Sequence, residues 1–183
     1  MKIHVRALIC ILGVSAAAWT FAAQQATLDA SWQKHEINFT YTGFTSSYSC
    51  DGLEHKVKVL LRLAGARPDG NVRVVCTSAV SAPQRSSTVL LTFHTLVPAA
   101  AGVNAATLGV WKDVAWRAGS PRELEAGDCE LVDAFARRIL PLFTTRNIEN
   151  RMTCIPKEVN PTGFDLRFTV LAAAPISNGG SIE

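Results

Sequence analysis

Charge is scarce in this 183-residue chain: 18% of its residues are charged, and 18 lysines and arginines against 15 aspartates and glutamates leave a net +3. So small and dispersed an excess leaves no footprint for nucleic acid or an acidic membrane. Histidine is scarce as well. His35, His55 and His94 stand singly in separate segments, so the sequence offers no cluster of metal ligands at short spacing, and no cofactor is expected. No Gly-x-Ser-x-Gly elbow announces an activated serine. No glycine-rich loop leads into a helix as a phosphate cradle would, and Gly65, Gly70, Gly102 and Gly109 read as turn residues. Cys-x-x-Cys, the usual redox spacing, is missing too. Beyond the first 22 residues no apolar run approaches the roughly 20 that a membrane span needs.

What is present begins at the N-terminus. Met1–Arg6 is a short basic stretch, Ala7–Ala18 is nearly all apolar, and Thr20-Phe21-Ala22 offers small residues at the −3 and −1 positions. This pattern predicts a cleavable secretory signal over residues 1–22 and no stable membrane insertion after cleavage. Loss of Lys2 and Arg6 leaves 16 basic residues against 15 acidic, so the mature chain is close to neutral. Loss of Cys10 leaves four cysteines, Cys50, Cys76, Cys129 and Cys154. An even count in an exported chain argues for disulfides and a periplasmic or secreted location. The periplasm is the favoured of the two, since the one formal glycosylation sequon, Asn38-Phe39-Thr40, falls within an expected strand.

The second half of the chain echoes the first. Trp32 and Trp111 are each followed eighteen positions later by a cysteine, Cys50 and Cys129, and seventeen further on by Arg67 and Arg146. After a one-residue shift Arg73 meets Arg151, Cys76 meets Cys154 and Pro83 meets Pro161. Rare residues recurring in order predict two copies of one unit, at 24–98 and 109–173, joined by a linker at 99–108 and followed by a disordered tail at 174–183.

Periodicity within the copies agrees. After Cys129, Leu131, Val132, Phe135, Ala136, Ile139 and Leu140 recur at helical spacing, with Asp128 as the expected N-cap and Pro141 as the far boundary. After Cys50, Leu53, Val57, Leu60, Leu61 and Ala64 form the matching stripe; Glu54, Lys58 and Arg62 make an i,i+4 ladder, and Gly65 ends the helix. Strands are expected at Ile37–Tyr41, Val72–Cys76 and Thr88–Val97, then at Val110–Trp116, Ile148–Cys154 and Phe164–Leu171. The expected fold is α+β: a two-layer sandwich from a duplicated β-α-β-β unit, about six strands with two helices on one face. If the strands bracketing each helix are parallel neighbours, the crossover between them is right-handed.

A cysteine opens each helix and another closes the following strand, which predicts the bridges Cys50–Cys76 and Cys129–Cys154. Each is worth about 3 kcal/mol in the chain-entropy view. Arg67 and Arg146 follow the two helices, where a cation can satisfy terminal carbonyls; alternatively they form a paired clamp for an anion near a pseudo-twofold axis. Trp32 and Trp111 read as core anchors, with a ligand platform as the competing role. Trp116 and the exposed sides of Thr88–Val97 are expected to offer apolar surface to another chain. The function these features suggest is binding, of an envelope or extracellular protein or of a small anionic ligand. The competing reading is a periplasmic hydrolase with a small site between the repeats, for which His35 or His94 beside a carboxylate in a deep pocket would be the mark.

Overall fold

The computed structural model describes residues 26–76, 83, 85–100, 107–158 and 163–175. The expected leader lies outside them, as do residues 101–106 of the linker, 176–183 of the tail, and Pro161. The order is β1 (Leu28–Thr42), α1 (Cys50–Leu63), β2 (Asn71–Val75), β3 (Ser86–Pro98), β4 (Thr107–Arg117), α2 (Cys129–Arg138), β5 (Thr145–Met152) and β6 (Phe164–Ala173). All six strands join one antiparallel sheet in the order β2-β3-β1-β4-β6-β5. Each half runs strand, helix, strand, strand, and the order of positions reads the same from either edge. The helices do not cross between adjacent strands: β3 is inserted between β1 and β2, and β6 between β4 and β5.

Local chemistry explains the helices. Ser49 caps α1 by accepting the Gly52 N–H at 3.1 Å. At the other end Gly65 takes φ +88°, and Gly65 N–H and Ala66 N–H bond back to the Arg62 and Leu61 carbonyls, a Schellman closure that needs the glycine. The expected Glu54–Lys58 pair forms at 2.7 Å, while Arg62 turns outward to Glu123 at 3.2 Å. Two expectations for α2 are corrected. Asp128 makes no side-chain capping bond, because its carboxylate is engaged elsewhere. Ile139 lies beyond the last α-helical turn and Leu140–Leu142 form a 3-10 turn holding Pro141, whose ring is accommodated where a continuing helix would reject it.

One buried cluster takes residues from both halves and both layers. Phe39, Tyr41, Val89, Leu91 and Phe93 of the first half meet Val114, Trp116, Phe164, Leu166, Phe168 and Val170 of the second beneath the stripes of α1 and α2. Aromatic rings run through it: His35 beside Phe93 (5.3 Å between centroids), Phe93 on Phe143 (5.8 Å), Phe143 near Phe135 (6.2 Å), and Phe135 against Trp116 (5.3 Å). Trp116 is 1% exposed, so it belongs to this core and not to a surface for another chain. It shares strand parity with Val114, and that parity faces the helices. The expected bridges are both present, tying the start of each helix to the end of the strand that follows it, Cys50 to Cys76 and Cys129 to Cys154.

His35 links this core to pH. Thr95 donates its hydroxyl proton to the Leu142 carbonyl (3.0 Å), so His35 Nε2–H is the donor in the 2.8 Å contact with Thr95 Oγ1. Partial burial, and secondarily the charge of His94, lower the His35 pKa from 6.5. A histidine depressed in the folded state contributes stability that is complete above its unfolded pKa and lost as pH falls. The wild-type chain should therefore lose melting temperature more steeply than His35→Gln below about pH 6.5, and parallel curves would remove His35 as the cause.

Candidate functional site

The helices cover one face of the sheet, and the other face carries the opposite strand parity. There Trp32 and Leu96 are paired across β1 and β3, and Trp111 and Leu171 across β4 and β6. Ala30, Leu96 and Leu171 form a small buried cluster, with Leu28, Trp32 and Trp111 packed around it. The two tryptophans are half-buried platforms on this helix-free face and take no part in the main core.

The matched arginines land on the matched tryptophans. The Arg67 guanidinium lies 5.6 Å above the Trp32 ring and that of Arg146 lies 4.1 Å above Trp111, both within the range of attraction between a cation and an aromatic face. Neither serves as a helix cap. Arg67 donates from Nε and Nη to the two oxygens of Asp69 at 2.7 and 2.6 Å, with His94 nitrogens 3.1 Å from the same Nη. That hydrogen bond, opposed by slight desolvation and reinforced by charge, holds the Asp69 carboxyl below its ordinary pKa. Arg146 sits inside β5, beyond the end of α2, paired in register with Thr169. It makes no salt bridge or side-chain hydrogen bond among the described residues.

The structure does not bring Arg67 and Arg146 together. Leu28 pairs with Gly109 at the β1–β4 seam. Trp32 lies four residues from that pair in one direction and Trp111 two residues in the other, about 20 Å apart at a strand's rise per residue. The face thus holds two separate arginine-on-tryptophan stacks on either side of a leucine floor. Each has a shallow hollow beyond it. One of about 440 Å³ is lined by Glu36, Asn38, Asn71, Arg73, Leu90 and Thr92; the other, about 250 Å³, includes Asp113, Ala115, Asn147, Arg167 and Thr169.

Two further hollows lie beside the helices, one of them, of about 450 Å³, lined by Glu130, Asp133, Arg137 and Arg138. A groove of about 380 Å³ between α1 and β2 is lined by His55, Lys58, Arg62 and Arg67, but Lys58, Arg62 and Arg67 already pair with Glu54, Glu123 and Asp69. His94 does lie 3.5 Å from a carboxylate, Asp69. That carboxylate is bound on both oxygens by Arg67, and no hydroxyl or thiol bonds to His94 among the described residues. Sequence reasoning missed one polar centre, where Tyr48, Lys56 and Asp128 meet. Tyr48 Oη donates to Asp128 Oδ1 at 2.5 Å, and Lys56 Nζ and the Glu125 N–H each reach Oδ2 at 2.8 Å. Burial, then the Asp128 charge, push the Tyr48 hydroxyl pKa far upward. Asp128 is 3% exposed, so the carboxylate at the middle of this centre is a buried bond between halves.

Fold and surface together define a disulfide-braced, two-layer α+β protein with one sheet face left open. No family model, curated protein or solved structure matches the chain. Two disulfides fit an oxidising compartment, and among the described residues no helix is long and apolar enough to cross a membrane.

Proposed function

We propose that this is an exported binding protein, built by duplication of a β-α-β-β unit, that takes an envelope or extracellular partner on the helix-free face of its sheet. The observation that carries the reading is the pair of arginine-on-tryptophan stacks flanking the Leu96/Leu171 floor. Aromatic and arginine side chains are the residue types that supply most binding energy at protein interfaces, and here they are spread over an open sheet instead of converging in a cleft. The duplication draws support from the repeated element order, the two bridges, and the equivalent register of Trp32–Leu96 and Trp111–Leu171. Export draws its support from the leader-like first 22 residues and from the paired cysteines.

Photo-crosslinking residues placed at the exposed positions Asn38 and Ala115 on the open face, and at Lys58 and Arg138 on the helix face, test the reading in the native envelope. Discrete adducts from the first pair, weakened by Trp111→Ala, are expected. Adducts confined to the helix-face positions would overturn it.

A further inference from the structure

The two stacks differ in one respect that identifies a ligand chemistry. At Arg67 the in-plane edge of the guanidinium is filled by Asp69, two residues along the chain, in a two-oxygen fork. The residue two along from Arg146 is Ile148, which is apolar and 52% exposed. The Arg146 guanidinium carbon stands over Trp111, 4.1 Å from the ring centre, and a guanidinium engaged by its face keeps its in-plane N–H groups for a hydrogen-bonding partner. Among the described residues no carboxylate meets that edge. The first half thus displays the filled form of a site that the second half leaves open.

We propose that the Arg146–Trp111 stack is a carboxylate-binding subsite, taking an acidic side chain or chain-terminal carboxylate in the place that Asp69 occupies on Arg67. This deepens the binding reading above and rests on it. The surroundings fit one carboxylate better than a more highly charged oxyanion. Asn147 lies next in the chain, with its amide 3.5 Å from Thr169 Oγ1 and able to turn toward a ligand oxygen. Asp113, whose carboxylate accepts the Thr169 hydroxyl at 2.7 Å, stands in the same cross-strand row and opposes a dianion. The hollow lined by Asp113, Asn147, Arg167 and Thr169 gives room of about 250 Å³ for whatever carries the carboxylate.

The test is an NMR titration of the full oxidised chain with N-acetylglutamate, following the indole N–H of Trp32 and Trp111 and the Nε–H of Arg67 and Arg146 against a chloride control of equal ionic strength. Saturable shifts are expected at Trp111 and Arg146 and not at Trp32 and Arg67. Arg146→Gln should weaken binding about tenfold or more, the loss expected for a charged hydrogen bond. Asp69→Asn should uncover the other edge and make Trp32 respond, a gain that a purely structural role for either arginine would not produce. Equal responses in wild type and Arg146→Gln, or silence at Trp32 in a folded Asp69→Asn variant, would overturn the subsite. So would tighter binding of inorganic phosphate than of the carboxylate. Crosslinking at Asn38 and Ala115 would survive that failure, so loss of the subsite and loss of the open-face reading are distinguishable.

Discussion

Replacing Asp128 with alanine should cost about 3 kcal/mol or more, read as a lower urea midpoint at unchanged slope. The carboxylate is 3% exposed and accepts three hydrogen bonds, from Tyr48, Lys56 and the Glu125 backbone. Alanine would strand the tyrosine hydroxyl without its acceptor and would take from the Lys56 ammonium, whose side chain is 16% exposed, its nearer carboxylate, leaving Glu125 at 3.3 Å and the Glu123 carbonyl at 2.8 Å. Leaving a buried donor without its acceptor costs more than the bond itself contributes. The Lys56 pKa measures the competition: burial pushes it down, but the hydrogen bond and charge of Asp128, then those of Glu125, carry the net shift upward. Asp128→Asn keeps one acceptor and should cost about half as much, and Tyr48→Phe about 1 kcal/mol. If Asp128→Ala proved neutral, the polar contact between halves would be incidental to stability.

Removing both disulfides should have a larger effect still. The bridges close separate loops, with sequence separations of 26 and 25, so their contributions of about 3 kcal/mol each should add. A combined loss of about 6 kcal/mol is comparable with the whole stability of an ordinary domain. The chain with all four cysteines replaced by alanine should fail to give a cooperative thermal transition at 37 °C and above, while each single-bridge variant still folds. A four-alanine chain melting within a few degrees of wild type would mean that the core alone holds the sheet and helices together.

The parts of this fold that depend on neighbours in the chain were legible beforehand. Helical stripes after Cys50 and Cys129, six β-rich runs, and the cysteine pairings all follow from spacing within about 26 residues. What stayed hidden depends on partners far away. Asp128 looked like a cap because capping is local, yet two of its partners, Tyr48 and Lys56, lie 80 and 72 residues earlier. Trp116 looked like surface because an isolated tryptophan carries no parity; Val114, two residues before it on the same face, was the available signal. The placement of β3 between β1 and β2 cannot be read from periodicity, which reports faces and not neighbours. Trp32 and Arg67, and likewise Trp111 and Arg146, were each singled out, but only the folded chain shows that each arginine lies over its own tryptophan.

The seam between the halves is short, with only Leu28–Ala30 facing Thr107–Gly109, and two matching positions at its opposite ends are unequal. Ala30 and Gly109 each stand two residues before their tryptophan. A methyl added at Gly109 would come within 2.8 Å of Leu171, 3.1 Å of Leu96 and 3.3 Å of the methyl already on Ala30. One small side chain fills that space and a second would crowd it, so the two halves are not interchangeable at this point without a shift of the leucines. Two detached copies of the first half, brought together edge to edge, would set alanine against alanine under two leucines and would close only with the leucine ends displaced. Self-pairing of an isolated half would have to push those leucine ends aside, whereas covalent linkage lets the molecule keep a lopsided seam that a symmetric dimer would not have.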